Sequence, residues 1–140
     1  MILSWSVALA LEPMNLDAGV AVDGYDVVAY FEDAVATAGS PDHVSLYGGA
    51  TWRFASAEHR AVFEAEPERF VPRFGGYCAW AVSQGRTADI DPTAWTVVEG
   101  ALYLNYSPDI QAKWRADTEA HIALGEANWP KLLAGELPAK

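Results

Sequence analysis

The chain of 140 residues contains a single cysteine, Cys78, and only nine lysines and arginines against nineteen aspartates and glutamates. One thiol excludes an intrachain disulfide and any multi-cysteine zinc site built within one chain. The shortage of cations leaves a net charge of −10. Such a charge repels phosphate backbones and anionic headgroups, so nucleic acid and acidic membranes are poor partners. No apolar run is long enough to make an integral membrane segment. The H-E-x-x-H, G-x-S-x-G, Walker and G-x-G-x-x-G patterns are all missing, and spacing names no nucleophile–base pair. A non-enzymatic role is therefore the favoured reading.

The N-terminus, MILSWSVALALEPMN, is apolar but has no Lys or Arg before its hydrophobic run. Ala8-Leu9-Ala10 resembles a signal-cleavage site, while the missing basic region argues against a working signal peptide. Residues 1–20 read as a packing segment or a leader remnant, ahead of one domain over residues 21–135. What is plentiful is apolar and aromatic: half of the residues are hydrophobic and six are tryptophan. That is enough for a real core without staples, and it predicts an aromatic core or an aromatic-lined cleft.

Along the chain, Asp23-Gly24 marks a turn before the apolar run Tyr25–Phe31, which fits a buried strand or a short helix equally well. Residues 32–43 read as a loop. A hairpin is expected next, His43–Tyr47 and Ala50–Ala55 around Gly48-Gly49, because both turn positions tolerate positive φ. Ser56 caps a helix to about Glu66, and Pro67 starts a second turn carrying Phe70. Tyr77–Ser83 reads as a buried helical segment and Gly85–Pro92 as a polar loop. A second hairpin follows, Trp95–Val98 and Ala101–Tyr106 around Glu99-Gly100. Residues 107–133 are expected to be helical, anchored by Trp114 and Trp129 and interrupted at Gly125 and Pro130.

Shifting the first hairpin and helix by 51 residues lays Gly49-Ala50 on Gly100-Ala101, Ser56 on Ser107, and Phe63 on Trp114. Two hairpins, each followed by a helix, give an α+β fold packed as one small domain with a helical C-terminus.

Four motifs occur in order: GYDVVAYF at Gly24–Phe31, WRFASAEHR at Trp52–Arg60, GGYCAWAVSQG at Gly75–Gly85, and LYLNY at Leu102–Tyr106. Together they resemble the YHS domain family, in its stand-alone bacterial type, from Gly24 to about Trp129. The resemblance implies copper or another soft metal as ligand, and a periplasmic location; a native N-terminus would imply the cytoplasm. The cysteine positions of the metal-handling members fall here at Ala29, Ala55 and His59, so a multi-thiolate site is not expected at those places.

Cys78 is the natural replacement as soft ligand, with His59 and Asp26 as helpers; a buried, inert thiol is the competing reading. His59, flanked by Glu58 and Arg60, is expected at the surface. Asp26 is unusual in an apolar run, and capping a helix or turn is favoured over ligand contact. Tyr25, Tyr30, Tyr77, Trp80, Asn105 and Tyr106 together fit a pocket with apolar walls and polar tips. The functional expectation is a domain binding a metal ion or a small ligand near Cys78. The alternative is an accessory module that has lost the family's metal site and serves a protein partner or a homodimer.

Overall fold

The computed structural model describes residues 11–138; residues 1–10 of the expected N-terminal segment lie outside the described residues. The first elements among the described residues are two short antiparallel strands, β1 (Leu16–Asp17) and β2 (Val20–Ala21). A left-handed turn over Val22, Asp23 and Gly24 then leads into α1 (Val27–Glu32). The apolar run at Tyr25–Phe31 is thus a helix, and the reason is Asp26. Its buried carboxylate accepts from Val28 N at 2.9 Å and Ala29 N at 3.2 Å, satisfying the first free donors of the helix.

Strands β3 (Ser40–Tyr47) and β4 (Ala50–Phe54) form the first hairpin. β3 starts earlier than the sequence suggests, because a bulge between Ser40 and Val44 absorbs the Gly39-Ser40-Pro41 breaker. β4 also pairs in parallel with β2, giving a four-stranded sheet in the order β1-β2-β4-β3. Ser56 caps α2 (Ala57–Ala65) by accepting from His59 N at 3.1 Å. Pro67 starts α3 (Pro67–Phe70). α2 buries Phe63 against the sheet, with Trp52, Phe54, Tyr47 and Phe70 at ring distances of 5.0 to 6.5 Å. An aromatic at such a centre is worth about 3–5 kcal/mol on truncation to alanine.

The second half repeats the first. A left-handed turn over Phe74, Gly75 and Gly76 leads into α4 (Ala79–Ser83). Strands β5 (Asp91–Val98) and β6 (Ala101–Asn105) form a separate two-stranded sheet. β5 therefore begins inside the stretch expected to be loop. Ser107 caps α5 (Pro108–Arg115), which buries Trp114. The last helix, α6 (Thr118–Leu133), runs through both Gly125 and Pro130. The expected interruption falls earlier, at Asp117, whose side chain caps α6 by accepting from Ala120 N at 3.1 Å. Gly125 lies against a ring: a Cβ there would stand 2.6 Å from Phe74 Cζ. Among the described residues, no helix is long and apolar enough to cross a membrane.

The internal echo is a property of the backbone. The pairings Ser40 with Phe54, Val44 with Arg53, Ser45 with Trp52, Leu46 with Thr51 and Tyr47 with Ala50 recur 51 residues later, bulge included. The likeness also reaches further back than the hairpins. Tyr25 N donates to Val22 O at 2.9 Å, and Tyr77 N donates to Phe74 O at 3.0 Å. Asp26 N donates to Thr37 O at 2.8 Å, and Cys78 N donates to Ala88 O at 3.0 Å. Each half is a left-handed turn, a short helix, a hairpin and a capped helix.

Candidate functional site

The repeat makes Asp26 and Cys78 equivalent, since each is the N-cap residue of the short helix in its half. Each also accepts a hydrogen bond from the residue that follows the second strand of its hairpin. Ala55 N donates to Asp26 Oδ2 at 2.9 Å, and Tyr106 N donates to Cys78 Sγ at 3.3 Å. The residue from the capped helix that faces this place is His59 in the first half. Its counterpart, 51 positions on, is Ile110. One frame thus holds two different sites, the first polar and the second apolar.

In the first site, His59 Nδ1 donates to Asp26 Oδ2 at 2.6 Å. A carboxylate only accepts, so the proton on Nδ1 is assigned from this contact. The other ring nitrogen, Nε2, lies 3.7 Å from Asp33 Oδ2 and 3.8 Å from Glu32 Oε2. His59 is therefore not the free surface side chain expected from its charged neighbours: it is 17 % exposed and tied to a wholly buried carboxylate. Burial, the largest single influence, pulls its pKa down. The hydrogen bond to Asp26 and the charges of Asp26, Asp33 and Glu32 together raise it above the ordinary value.

In the second site, Cys78 is 1 % exposed, and burial pushes its thiol pKa up, against the backbone hydrogen bonds that lower it. Its S–H donates to Asn105 Oδ1 at 3.5 Å, and the same oxygen accepts from Trp80 N at 3.0 Å. Asn105 thereby caps α4 from across the fold, where Cys78 as N-cap residue makes no side-chain cap bond. Cys78, Trp80, Ala81, Arg86, Tyr106 and Ile110 line a cavity of about 210 Å³. Two cations converge on the Trp80 ring, Arg86 Cζ at 5.1 Å and Lys113 Nζ at 5.6 Å from its centroid. Among the described residues neither forms an ion pair with a carboxylate.

The six aromatic and amide residues expected to share a pocket are divided. Trp80 and Tyr106 line the cavity at Cys78, with Asn105 buried beside the sulfur. Tyr30 packs on Trp95 and donates to Pro92 O at 2.7 Å; Tyr25 is half-buried in the first core. Tyr77 packs on Trp129 and donates to Glu12 O at 3.0 Å. The expected metal set is divided likewise: Asp26 and His59 are joined, and Cys78 belongs to the other half. Among the described residues, no group of three or more His, Cys, Asp or Glu side chains stands where it could hold a metal ion. Ala29 N, Ala55 N and His59, the positions at which no multi-thiolate site is expected, all turn to the one carboxylate of Asp26. The converging cations of Arg86 and Lys113 escaped the sequence reading, because they lie 27 positions apart. Compared with family models, with curated proteins and with solved structures, the chain matches none.

Proposed function

We propose that this chain is a YHS-type domain that binds a small molecule at the Cys78 cavity, and that the ligand is a compact apolar body carrying an anionic group. The family part of this reading is supported by the four motifs in order. The ligand part is supported by one observation: in a chain of net charge −10, Arg86 and Lys113, without a carboxylate partner among the described residues, both lie over the ring of Trp80, which with Arg86 lines an apolar cavity. Cys78, Ala81 and Ile110 supply apolar walls, and Tyr106, 58 % exposed, lines the rim. Arg86 and Lys113 supply the charge that an anion offsets. Cys78 acts here as a small apolar surface with its sulfur already engaged.

Titration with hexanoate and with hexanamide, followed by calorimetry and by amide shifts around residues 78–88 and 106–113, tests the reading. The carboxylate is expected to bind and the amide to bind about tenfold more weakly, with the difference reduced in Arg86→Gln and Lys113→Gln. Equal binding of the two probes, or shifts elsewhere in the fold, overturns it. One equivalent of Cu(I) held by the purified protein and lost in Cys78→Ser would return the function to a metal.

A second reading, an accessory module assembling as a homodimer, is favoured by Leu46. This residue is 83 % exposed on β3, an edge strand of the larger sheet. Sedimentation of the protein and of Leu46→Ser decides it: a monomer in both cases removes this reading.

A further inference from the structure

A second cleft, unrelated to the Cys78 cavity, lies where α3 from the first half meets β6 and α6 from the second. Its volume is about 500 Å³, within the ordinary range of small-molecule sites. Tyr47, Phe74, Tyr103 and Trp129 form aromatic walls, with Glu68 and Glu126 as carboxylates and Arg73 as the single cation.

Tyr103 is the informative residue. It is 5 % exposed, and its ring packs on Trp114 at 5.0 Å and on Phe74 at 5.9 Å. Among the described residues its hydroxyl makes no hydrogen bond, and unlike the ring it is not sealed from solvent, so its bonding capacity is left open to a ligand. The charges acting on that hydroxyl include Arg73 and Glu126, both on the wall of this cleft. Tyr103 lines this cleft, and its hydroxyl is within electrostatic reach of the charged wall.

The repeat supplies an internal comparison. Trp52 stands at the position of Tyr103 in the first half, and its Nε1 donates to Tyr47 O at 3.0 Å. The space beside Trp52 has closed to about 10 Å³. The same place in the frame is filled in one half and open in the other.

We infer that this cleft is a binding site for a small organic ammonium compound, held by the aromatic faces and the Glu68 and Glu126 carboxylates, with the Tyr103 hydroxyl bonding the ligand at the floor. The charge balance selects the ligand. Two carboxylates outweigh Arg73, the chain as a whole attracts cations, and aromatic faces favour a cation over a neutral group of the same shape. The site is independent of the Cys78 cavity, and it takes the opposite charge.

The experiment titrates the purified protein with 2-phenylethylammonium, 2-phenylethanol and 3-phenylpropionate, reading amide shifts. The ammonium compound is expected to shift residues 72–76, 102–104 and 126–130, the alcohol to bind about fivefold more weakly or less, and the anion not at all. Glu126→Gln and Tyr103→Phe are each expected to weaken the ammonium compound about threefold to tenfold. Tyr103→Phe removes only an unbonded hydroxyl, so its thermal midpoint should match or exceed that of the parent, which separates lost binding from lost folding. Equal binding of the alcohol, unchanged affinity in both variants, or shifts centred on residues 78–88 overturns the inference.

Discussion

Asp26 Oδ2 receives the Nδ1 proton of His59 at 2.6 Å, and through that contact the N-terminus of α1 is fastened to the N-terminus of α2. The carboxylate accepts from Val28 N, Ala29 N, Ala55 N and His59 together. Asp26→Asn keeps the shape but turns a donor toward groups that themselves donate. Chemical denaturation is expected to show a loss of about 3 kcal/mol, as for other buried charges whose partners are left unpaired. A loss within the scatter of a surface substitution would mean the carboxylate is dispensable.

The same contact gives stability a pH dependence. The folded pKa of His59 lies above its ordinary 6.5. A group whose folded pKa is raised contributes fully below the unfolded value, and its contribution is lost as pH rises through the folded value. Unfolding free energy should therefore contain a component that declines as pH climbs from 6.5 upward. His59→Gln should flatten that part of the profile, and an unchanged profile would show that the imidazole does not titrate with folding.

Cys78 should react slowly. Its sulfur is buried, its pKa is raised chiefly by that burial, and both hydrogen bonds to it must break before attack. Labelling by an aromatic disulfide at pH 8 is expected to run at least about a hundredfold slower than in the urea-unfolded chain, limited by local opening. Labelling at the unfolded rate would remove the buried thiol from the floor of the proposed cavity.

Two glycines separate strain from collision. Gly49 has φ +79 and open space around a Cβ, so Gly49→Ala should cost about 1–2 kcal/mol, the strain of a left-handed residue. At Gly39 a Cβ would stand 2.5 Å from the Arg53 carbonyl carbon, and backbone cannot rotate away. Gly39→Ala should cost about 3 kcal/mol by prying β3 from β4. Thermal melts of the pair, ranked the other way, would contradict the close approach of Gly39 to the Arg53 backbone.

The hairpins and caps were legible in the sequence because their signals are local: Gly-Gly and Glu-Gly between β-prone runs, serine ahead of an apolar stripe. Asp26 was legible as a cap for the same reason, and its choice of helix over strand for the apolar run was not. The dyad was hidden, because nothing in a helix position flanked by Glu58 and Arg60 points to a carboxylate 33 positions away. The first part of the repeat was hidden by one residue. Val22–Asp26 lies 52 positions before Phe74–Cys78, while the hairpins are offset by 51. α6 passes Gly125 because the missing side chain makes room for the Phe74 ring, a tertiary reason that periodicity does not contain.

Two hairpins of the same register in one chain invite crossed pairing during folding, β3 with β6 in place of β4. Chain connectivity opposes it. Each native hairpin closes over a two-residue turn, whereas the crossed one must close a loop of roughly fifty residues, an entropic penalty larger by about 3 kcal/mol. The copies are kept apart by the order in which their strands can meet.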